Sequence, residues 1–545
     1  MVLFLTFVLS MMLTVVLIPP LMKSASRFKF IDYPNERKVH TGMIPRVGGV
    51  AMIIGAVLPF ILLMSNLHEF IYVYVSLFTL LIFGLVDDRY VLNYKFKFLG
   101  QILAVLSVVF LGGVVIEKLP LFNDMLIPKY IAIPFTIFAL LGVTNAINLS
   151  DGLDGLAGGQ TILSLGAIAL ISYKAENIIV LMLALSVMGS ILGFLRFNTY
   201  PATVFMGDTG SQFLGFTLGV AVILLTQQGT VDISPAIVLL LLGLPIIDTI
   251  AVMILRMREG RSPFSPDKKH VHHRLLGLGF KHHEAVLIIY IIQTVMVISA
   301  YLFRNETDWF ILSLYAAYCA LVLSSIYFAE FIGWRTHIKL KENQLTLLEK
   351  KIHWLRDKNR LLNALLLFAA IILISETILA VSFLSELPID GYYLVIMMIA
   401  LLSLMYILKR KNSIHLVERI VIYTFGALIN FIVHSHSNIP VQFQEYYDVV
   451  YVILAVVVFF GIWYSPIKNF EPTPLDFLVI FIAIVSAVLP EFQNASKELG
   501  ISIAHMILLF YAIEFIVENV GNKLNYVRYF ALTMLSMVML KGVIG

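Results

Sequence analysis

The sequence predicts an all-α membrane protein that crosses the bilayer many times. Hydrophobic residues make up 60% of the 545-residue chain, charged residues only 13%, and the mean hydropathy is +0.92. Soluble domains carry about 25% charged residues. Apolar stretches, about eighteen in all, recur along the chain, and each reaches the roughly 20 residues that a helix needs to cross a hydrocarbon core. These observations exclude an ordinary soluble protein.

The first apolar stretch, Val2 to Met22, is expected to remain as a membrane helix. No basic residue precedes it and no clear small-residue cleavage site follows it, so the pattern of a signal peptide is missing. The single cysteine, Cys319, lies inside a later apolar run, so we expect a buried and inert thiol.

The first 333 residues are predicted to form a membrane core of about eleven helices, because polar or basic loops separate apolar runs of membrane-spanning length. In chain order, the predicted helices cover residues 2–22, 47–66, 70–86, 98–116, 130–147, 157–173, 177–195, 210–228, 234–256, 285–303 and 309–333.

Residues 334–362 are predicted to form an amphipathic cytoplasmic helix that links this core to the rest of the chain. Its apolar residues at helical spacing are Ile338, Leu345, Leu348, Ile352 and Leu355. A short coiled coil or a membrane-surface brace is one interpretation, and a solvated linker is the other. Residues 363–545 contain about seven more apolar helices, which predict a second membrane domain of unknown function.

Basic residues cluster in alternate loops of the predicted core. Six lie between Lys23 and Arg46 and seven between Arg256 and Lys281, whereas the intervening loops carry few. The positive-inside rule therefore predicts that the basic loops face the cytoplasm and that the N-terminus lies outside.

Four polar clusters interrupt the apolar core, and all four fall on the predicted cytoplasmic side. The first, GLVDDRY at 84–90, contains Asp87 and Asp88, and Lys95 and Lys97 follow shortly after. Paired carboxylates are hard oxygen ligands suited to Mg²⁺, and lysines suit phosphate oxygens. A charged helix end that anchors the interface is the alternative.

The second cluster, NAINLSDGLDGLAGG at 145–159, carries four polar side chains at three-residue spacing. They are Asn145, Asn148, Asp151 and Asp154. On one helical face this spacing would direct two amides and two carboxylates at a common spot. Asn and Asp beside glycine also form turns and helix caps, which is the competing interpretation.

The third cluster, FMGDTGS at 205–211, places Asp208 just before an apolar helix. This position suits an N-cap, and a helix N-terminus also favours anions. Phe205 is expected either to pack against lipid or to offer a platform for a flat base.

The fourth cluster, HVHHRL at 270–275, contains three close histidines and one arginine. These residues are His270, His272, His273 and Arg274. Zinc is an alternative, but the partner ligands of a structural zinc site are missing and the basic neighbours suit an anionic ligand better. His282 and His283 are expected in a solvated loop.

Taken in order, these strings closely resemble the polyprenyl-phosphate N-acetylhexosamine-1-phosphate transferases. The resemblance is to the WecA/TagO branch of the glycosyltransferase 4 superfamily, which also contains the MraY phospho-MurNAc-pentapeptide transferases. It covers residues 1–333 and includes RKVHTGMIPRVGG at 37–49, NYKFKFLGQ at 93–101 and PIIDT at 245–249.

The resemblance implies transfer of GlcNAc-1-phosphate from UDP-GlcNAc to undecaprenyl phosphate, with release of UMP and with Mg²⁺ or Mn²⁺ as cofactor. It further implies a bacterial plasma (inner) membrane protein with a cytoplasmic site, whose product initiates a cell-surface glycan. The sequence does not decide between lipopolysaccharide, teichoic acid and other polymers, nor between donor N-acetylhexosamines. Membrane lipids are expected partners, nucleic acid is not, and a homodimer stays open.

Carried over to this chain, the resemblance implies that Asp87, Asp88 and Asp208 are both catalytic residues and metal ligands. The implied substrate-binding residues are Arg46, Lys95, Lys97, Asn145, Asn148, Asp151, Asp154, Phe205, His270, His272, His273 and Arg274. Since a phosphate monoester has a second pKa of about 6, we expect direct attack by the lipid phosphate rather than an aspartyl-phosphate intermediate.

Two features depart from the family pattern. Val91 occupies a position of the first motif that is often acidic or an amide, and residues beyond 333 have no counterpart in the minimal family core. An MraY-like donor is the nearest alternative, although HVHHRL argues against it. A membrane transporter is the alternative from another class, but such sites usually lie near the middle of the membrane and come with internal repeats.

Overall fold

A computed structural model describes most of the first 336 residues and parts of the remainder. The described residues are 2–33, 42–63, 70–90, 92–122, 125–227, 233–263, 265, 267, 269–336, 359–383, 392, 395–396, 399, 426, 441–464, 505, 508–509, 511–513 and 515–516. The chain divides into two compact units, Met1–Ile338 and Lys339–Gly545.

The described part of the first unit is almost entirely helical. Its elements are α1 (Val2–Phe28), β1 (Ile31–Asp32), β2 (Ile44–Pro45), α2 (Gly48–Leu63), α3 (Ile71–Tyr90), α4 (Tyr94–Phe110), α5 (Lys129–Ser150), α6 (Leu156–Lys174), α7 (Ile178–Asn198), α8 (Gly207–Gln227), α9 (Ile237–Arg258), α10 (Val271–Gly277), α11 (His282–Leu302) and α12 (Asp308–Phe331). The two short strands pair in antiparallel fashion. The prediction of an all-α polytopic membrane protein is confirmed.

Ten of the described helices are long and apolar enough to cross a membrane. The predicted helix bounds differ most at α4, which begins at Tyr94 rather than 98 and ends at Phe110 rather than 116. The side chain of Asn93 accepts a hydrogen bond from the Lys95 N–H and so starts the helix early. Gly113 has a φ of +63° just after the helix, where glycine is favoured.

Within the described part of the second unit, α13 (Asn359–Phe383) and α14 (Val441–Tyr464) pack against each other. Glu376 of α13 is buried and accepts a hydrogen bond from the Tyr451 hydroxyl. The predicted linker helix falls largely on residues 337–358, which lie outside the described residues, as does most of the predicted seven-helix domain.

Helix α8 forms the centre of the first unit. Every residue from Thr209 to Thr226 is buried, and α2, α3, α5 and α6 pack around the helix. The sequence GDTGSQFLGFTLG supplies small side chains, which let helix backbones approach closely where lipid provides no hydrophobic driving force. Because α8 is buried among these helices, the position of Asp208 in its first turn is fixed.

Helix α3 approaches this central helix most closely at Gly84. A Cβ added there would lie 2.6 Å from Oγ1 and 2.7 Å from Cα of Thr209. The approach brings the last two turns of α3 against the first turn of α8.

Replacing Gly84 by alanine should push α3 away from α8. We expect Gly84→Ala to lower the apparent melting temperature, because overpacking a well-packed contact costs about 1–3 kcal/mol. Gly142→Ala is the matched control, since a Cβ there meets nothing within 4 Å. Thermal unfolding of both variants at one heating rate checks this. Equal melting temperatures for the two variants would contradict the close contact.

Candidate active site

Asp88, near the end of α3, caps the N-terminus of α8 from a different helix. Its Oδ1 accepts the Asp208 N–H at 2.8 Å, and its Oδ2 accepts the Thr209 N–H at 3.2 Å and the Thr209 hydroxyl at 2.6 Å. These backbone groups have no partner inside the helix, and a carboxylate also suits the positive end of the helix dipole. Asp88 thereby holds Asp208 in place.

Gly207 makes room for this cap. Its φ of +68° lies in the left-handed region, and a Cβ there would come within 2.5 Å of both carboxylate oxygens of Asp88. Only glycine meets both requirements without strain.

Asp87, Lys97 and Asp208 converge beside this cap. The Lys97 ammonium lies 2.6 Å from Oδ1 of Asp208 and 3.4 Å from Oδ2 of Asp87, and the two carboxylates lie within hydrogen-bonding reach of each other. The other oxygen of Asp87 accepts the Leu92 N–H at 2.8 Å. Two carboxylates this close repel unless a cation or a proton lies between them. Lys97 supplies that positive charge.

The three predicted metal ligands are arranged as one capping carboxylate, Asp88, and one facing pair, Asp87 and Asp208. Both oxygens of Asp88 are engaged in capping α8, and the described residues contain no group of three or more His, Cys, Asp or Glu side chains placed to hold a metal. Asp87 and Asp208 remain as the facing carboxylates. Two carboxylates fit Mg²⁺, which usually takes one or two together with waters and substrate phosphates.

The four polar residues of the second cluster do not share one helical face, contrary to expectation. Helix α5 ends at Ser150, Asp151 is its C-terminal cap residue, and Asp154 lies in the following turn. Asn145 donates to Oε1 of Gln101 at 3.0 Å, so its amide ties α5 to α4. Asn148 accepts the Ser211 hydroxyl at 2.6 Å and reaches the first turns of α8.

Asp151 lies among other carboxylates. Burial, and after it the charges of Asp208, Asp154 and Asp88, raise its pKa from 3.8 to about 7, while Arg46 opposes them. The helix ends of α3, α5 and α8 therefore share one acidic region, with Arg46 and Lys97 as its basic side chains near these groups.

Asp154 organises the turn between α5 and α6. Its Oδ2 accepts the Ala202 N–H at 3.0 Å, and its own N–H donates to Nε2 of His282 at 3.1 Å. The His282 ring stacks on Tyr200 with ring centres 4.4 Å apart. His282 is thus the partly buried first residue of α11 and does not lie in a solvated loop, whereas His283 is exposed.

The segment around Arg46 lies along the FMGD segment. Phe205 donates its N–H to the Pro45 carbonyl at 2.9 Å, and the Phe205 carbonyl accepts the Gly48 N–H at 3.0 Å. The Arg46 guanidinium pairs with Asp32 of β1. Arg46 and Phe205 therefore lie side by side at the mouth of α8, which fits their predicted roles towards a nucleotide. Lys95 is exposed on the first turn of α4.

Asp248 of α9 holds the histidine segment. Its Oδ2 lies 2.9 Å from Nδ1 of His270, and its Oδ1 accepts the Val271 N–H at 2.9 Å. The ring of His272 lies over Gly152, where a Cβ would come within 2.2 Å of Nε2. Burial, and after it the charges of the nearby histidines, lower the pKa of His272 to about 3. His272 is therefore neutral at physiological pH.

Arg274, which is predicted to bind substrate, pairs with a carboxylate of α12. Its guanidinium donates to both carboxylate oxygens of Glu330 on α12, at 2.8 and 2.6 Å. Such bidentate pairs are geometrically specific, and this one ties α10 to α12. In this structure Arg274 braces the histidine segment, while His273 beside it is partly buried and packs against the His272 ring at a tilt of 43°.

Several residues of this site were not predicted from the sequence. Thr209, Asp248 and Asp32 each anchor a predicted residue through a hydrogen bond or an ion pair. Asp248 carried a usable signal, because an acidic residue in an apolar membrane helix needs a partner. Asp32 and Thr209 carried none, because the pairing of β1 with β2 and the contact of α3 with α8 are not visible in the sequence.

The sequence pattern of glycosyl transferase family 4 matches residues 70–226, which include both carboxylates of the pair. A probable undecaprenyl-phosphate N-acetylglucosaminyl 1-phosphate transferase of Bacillus subtilis is 36% identical over 332 residues, covering 60% of this chain and 91% of the relative. The chain belongs to this family. An undecaprenyl-phosphate alpha-N-acetylglucosaminyl 1-phosphate transferase of Yersinia pestis is 30% identical over 306 residues, covering 54% of this chain and 83% of the relative.

A third family member, a decaprenyl-phosphate N-acetylglucosaminephosphotransferase of Mycolicibacterium smegmatis, is 36% identical over 303 residues, covering 49% of this chain and 73% of the relative. The match to family members of this kind confirms the resemblance on which the site residues were chosen.

Asp88 and Asp208 should respond differently to the same substitution. In Asp88→Asn, one acceptor oxygen becomes an NH₂ group that cannot accept the N–H groups of α8. Leaving a buried donor unpaired costs about 1–3 kcal/mol, so we expect a lower apparent melting temperature together with partial loss of turnover. Asp208→Asn should leave the melting temperature nearly unchanged, because its carboxylate is one-third exposed, and should lower turnover about a thousandfold, because the carboxylate that faces Asp87 is lost. Thermal unfolding and turnover of both purified variants check this. Loss of turnover in Asp88→Asn at wild-type melting temperature would contradict the capping role.

Asp151 should make stability depend on pH. Its pKa is raised in the folded state, so its protonated form favours folding, and stability is greatest below 3.8 and declines as the pH rises towards 7. Asp151→Asn cannot ionise and should lose this decline. We expect the melting temperature of the variant, relative to the parent, to rise between pH 5 and pH 8, in thermal scans at one heating rate. A constant difference across that range would contradict the raised pKa.

Proposed function

We propose that this chain transfers GlcNAc-1-phosphate from UDP-GlcNAc to undecaprenyl phosphate and releases UMP. The observation that carries the proposal is the meeting of Asp87, Lys97 and Asp208 at the N-terminus of α8, in a chain whose relatives are named for this transfer to polyprenyl phosphates. The product would initiate a cell-surface glycan.

The chemistry explains why this cluster suits the reaction. Donor and acceptor are both anionic, so they repel each other until their charge is neutralised. In phosphoryl transfer, positioning and electrostatic stabilisation supply most of the acceleration. Lys97 carries positive charge and lies between two carboxylates. Its ammonium group can leave these carboxylates and pair with phosphate oxygens of the substrates instead.

We further propose Mg²⁺, or Mn²⁺ in its place, as the cofactor, held by Asp87 and Asp208. When bound, the metal would neutralise charge on the diphosphate of the donor. The support is the facing pair of carboxylates, of which one oxygen of Asp87 is buried without a hydrogen bond in the described structure. Asp88 acts as a positioning residue through the backbone of Asp208 and Thr209.

The transfer requires no protein nucleophile. An oxygen of the lipid phosphate forms the new bond to the phosphorus that carries GlcNAc, and the bond from that phosphorus to the bridging oxygen breaks, so this oxygen leaves with UMP. The lipid phosphate has a second pKa of about 6 and is largely dianionic at neutral pH. Asp87 therefore supplies negative charge and orients the Lys97 ammonium. It need not form a covalent intermediate.

On the donor side, the proposal assigns uridine to Asn148, Asp151, Asp154 and Phe205, and the diphosphate and sugar to Arg46 and the histidine segment. Support comes from the shared location of these residues beside Asp208. Arg274 would reach the donor only after it leaves Glu330, so in this proposal it braces α10 instead.

We also propose that the site faces the cytoplasm of a bacterial plasma membrane, with the N-terminus outside. The support is the concentration of basic residues in the loops that carry the site, and the bacterial origin of the relatives. Undecaprenyl phosphate would then enter from the surrounding lipid, next to the ends of α3 and α8.

The test is release of UMP by the purified full chain with Mg²⁺, undecaprenyl phosphate and either UDP-GlcNAc or UDP-MurNAc-pentapeptide. We expect release from UDP-GlcNAc only, loss of activity with a metal chelator, recovery with added Mg²⁺, and a decrease of about a thousandfold in Asp208→Asn. Release from the pentapeptide donor only would reassign the donor. Absence of release from both donors, by a chain shown to be folded, would overturn the proposal.

A further inference from the structure

Helix α9 is broken in the middle of its apolar length. Gly243 has φ 43° and ψ −123°, far from helical values, and Pro245 follows two residues later. In a continuous helix the Leu241 carbonyl would accept the N–H of residue 245, but proline has none. The break also removes the Leu244 N–H from its partner four residues earlier. The Leu241 carbonyl and the Leu244 N–H therefore both lose their helical partners inside the membrane core.

One side chain from a neighbouring helix replaces both lost bonds. Gln293 of α11 accepts the Leu244 N–H at 3.0 Å through Oε1, and its Nε2 donates to the Leu241 carbonyl at 3.2 Å. The same Nε2 donates to the Ser164 hydroxyl of α6 at 2.9 Å. Gln293 is fully buried. Unsatisfied backbone groups are very costly in a membrane, so this amide stabilises the broken form of α9 over a straight one.

The break lies one turn before Asp248. Asp248 in turn holds His270 and the N–H of Val271, the first residue of α10. The direction of the second half of α9 therefore determines where Asp248, and with it the histidine segment, lies relative to the turn at Gly152.

We infer that Gln293 is a positioning residue for the donor side of the reaction. It fixes the bend of α9 and, through Asp248, the position of α10 beside the acidic cluster. The kinetic part of this inference rests on the proposed function, whereas the structural part does not. Gly243 makes this arrangement possible, because a Cβ there would come within 2.5 Å of Oε1 of Gln293.

A matched pair of variants separates this role from general destabilisation. Gln293→Met keeps the length of the side chain and removes its hydrogen bonds. Gln227→Met makes the same change at the C-terminal end of α8. There the Gln227 side chain accepts the N–H groups of Glu117 and Lys118 at 3.0 and 2.8 Å. Both variants lose an amide that satisfies backbone groups of another segment, but only the first is connected to α10.

Hydrogen–deuterium exchange of peptides covering residues 270–277, in the full chain, is the primary readout. We expect exchange about tenfold faster in Gln293→Met and unchanged in Gln227→Met. The kcat/KM for UDP-GlcNAc should fall roughly ten- to a hundredfold in Gln293→Met, mainly through KM, with the KM for undecaprenyl phosphate unchanged. Equal exchange in the two variants, or unchanged donor kinetics in Gln293→Met, would overturn the inference.

A double variant covers the case in which Gln293→Met does not fold. Adding Pro245→Ala returns a backbone N–H to the Leu241 carbonyl, so the chain should fold with a straighter α9 and with α10 still exchanging fast. Wild-type exchange of α10 in the double variant would contradict the inference. A wild-type chain that releases no UMP would count against the proposed function alone, because the exchange measurement does not depend on turnover.

Discussion

The contact between Asp88 and the N-terminus of α8 is the constraint on which the site depends. It joins two helices that lie 120 residues apart in the chain, and it occupies both oxygens of one carboxylate. The adjacent carboxylate of Asp87 is thereby placed opposite Asp208, with Lys97 between them. Gly84 and Gly207 allow this contact, because a side chain at either position would occupy the space that Thr209 or Asp88 now fills. The facing arrangement of Asp87 and Asp208 thus follows from helix packing.

A second polar assembly holds the histidine segment. It runs from Gln293 through the break in α9 to Asp248, and from there to the histidine segment. Buried polar groups of this kind are costly when unpaired, so each of these residues satisfies backbone or side-chain groups of another helix. The assembly anchors the histidine segment although α10 itself is only seven residues long.

The sequence predicted the helices and the location of the site better than it predicted individual contacts. Apolar length identifies membrane helices well, because the bilayer sets their length. Neighbouring residues of a helix point about 100° apart, so the sequence alone could not show that Asp88 would cap α8 while Asp87 faced Asp208. The pairing of Arg274 with Glu330, and of Asn145 with Gln101, depends on segments far apart in the chain. The Gly243–Leu244–Pro245 string did carry a signal for the break in α9.

The most direct test of the central contact is a double-mutant cycle between Asp88 and Thr209, read by thermal unfolding of the full chain. Asp88→Ala and Thr209→Val each remove the same hydrogen bond, so we expect the double variant to unfold at nearly the temperature of Asp88→Ala alone. Residues in direct contact show coupling of about 0.5–3 kcal/mol. Strictly additive effects of the two substitutions would contradict the claim that Asp88 holds α8, and with it Asp208, in position.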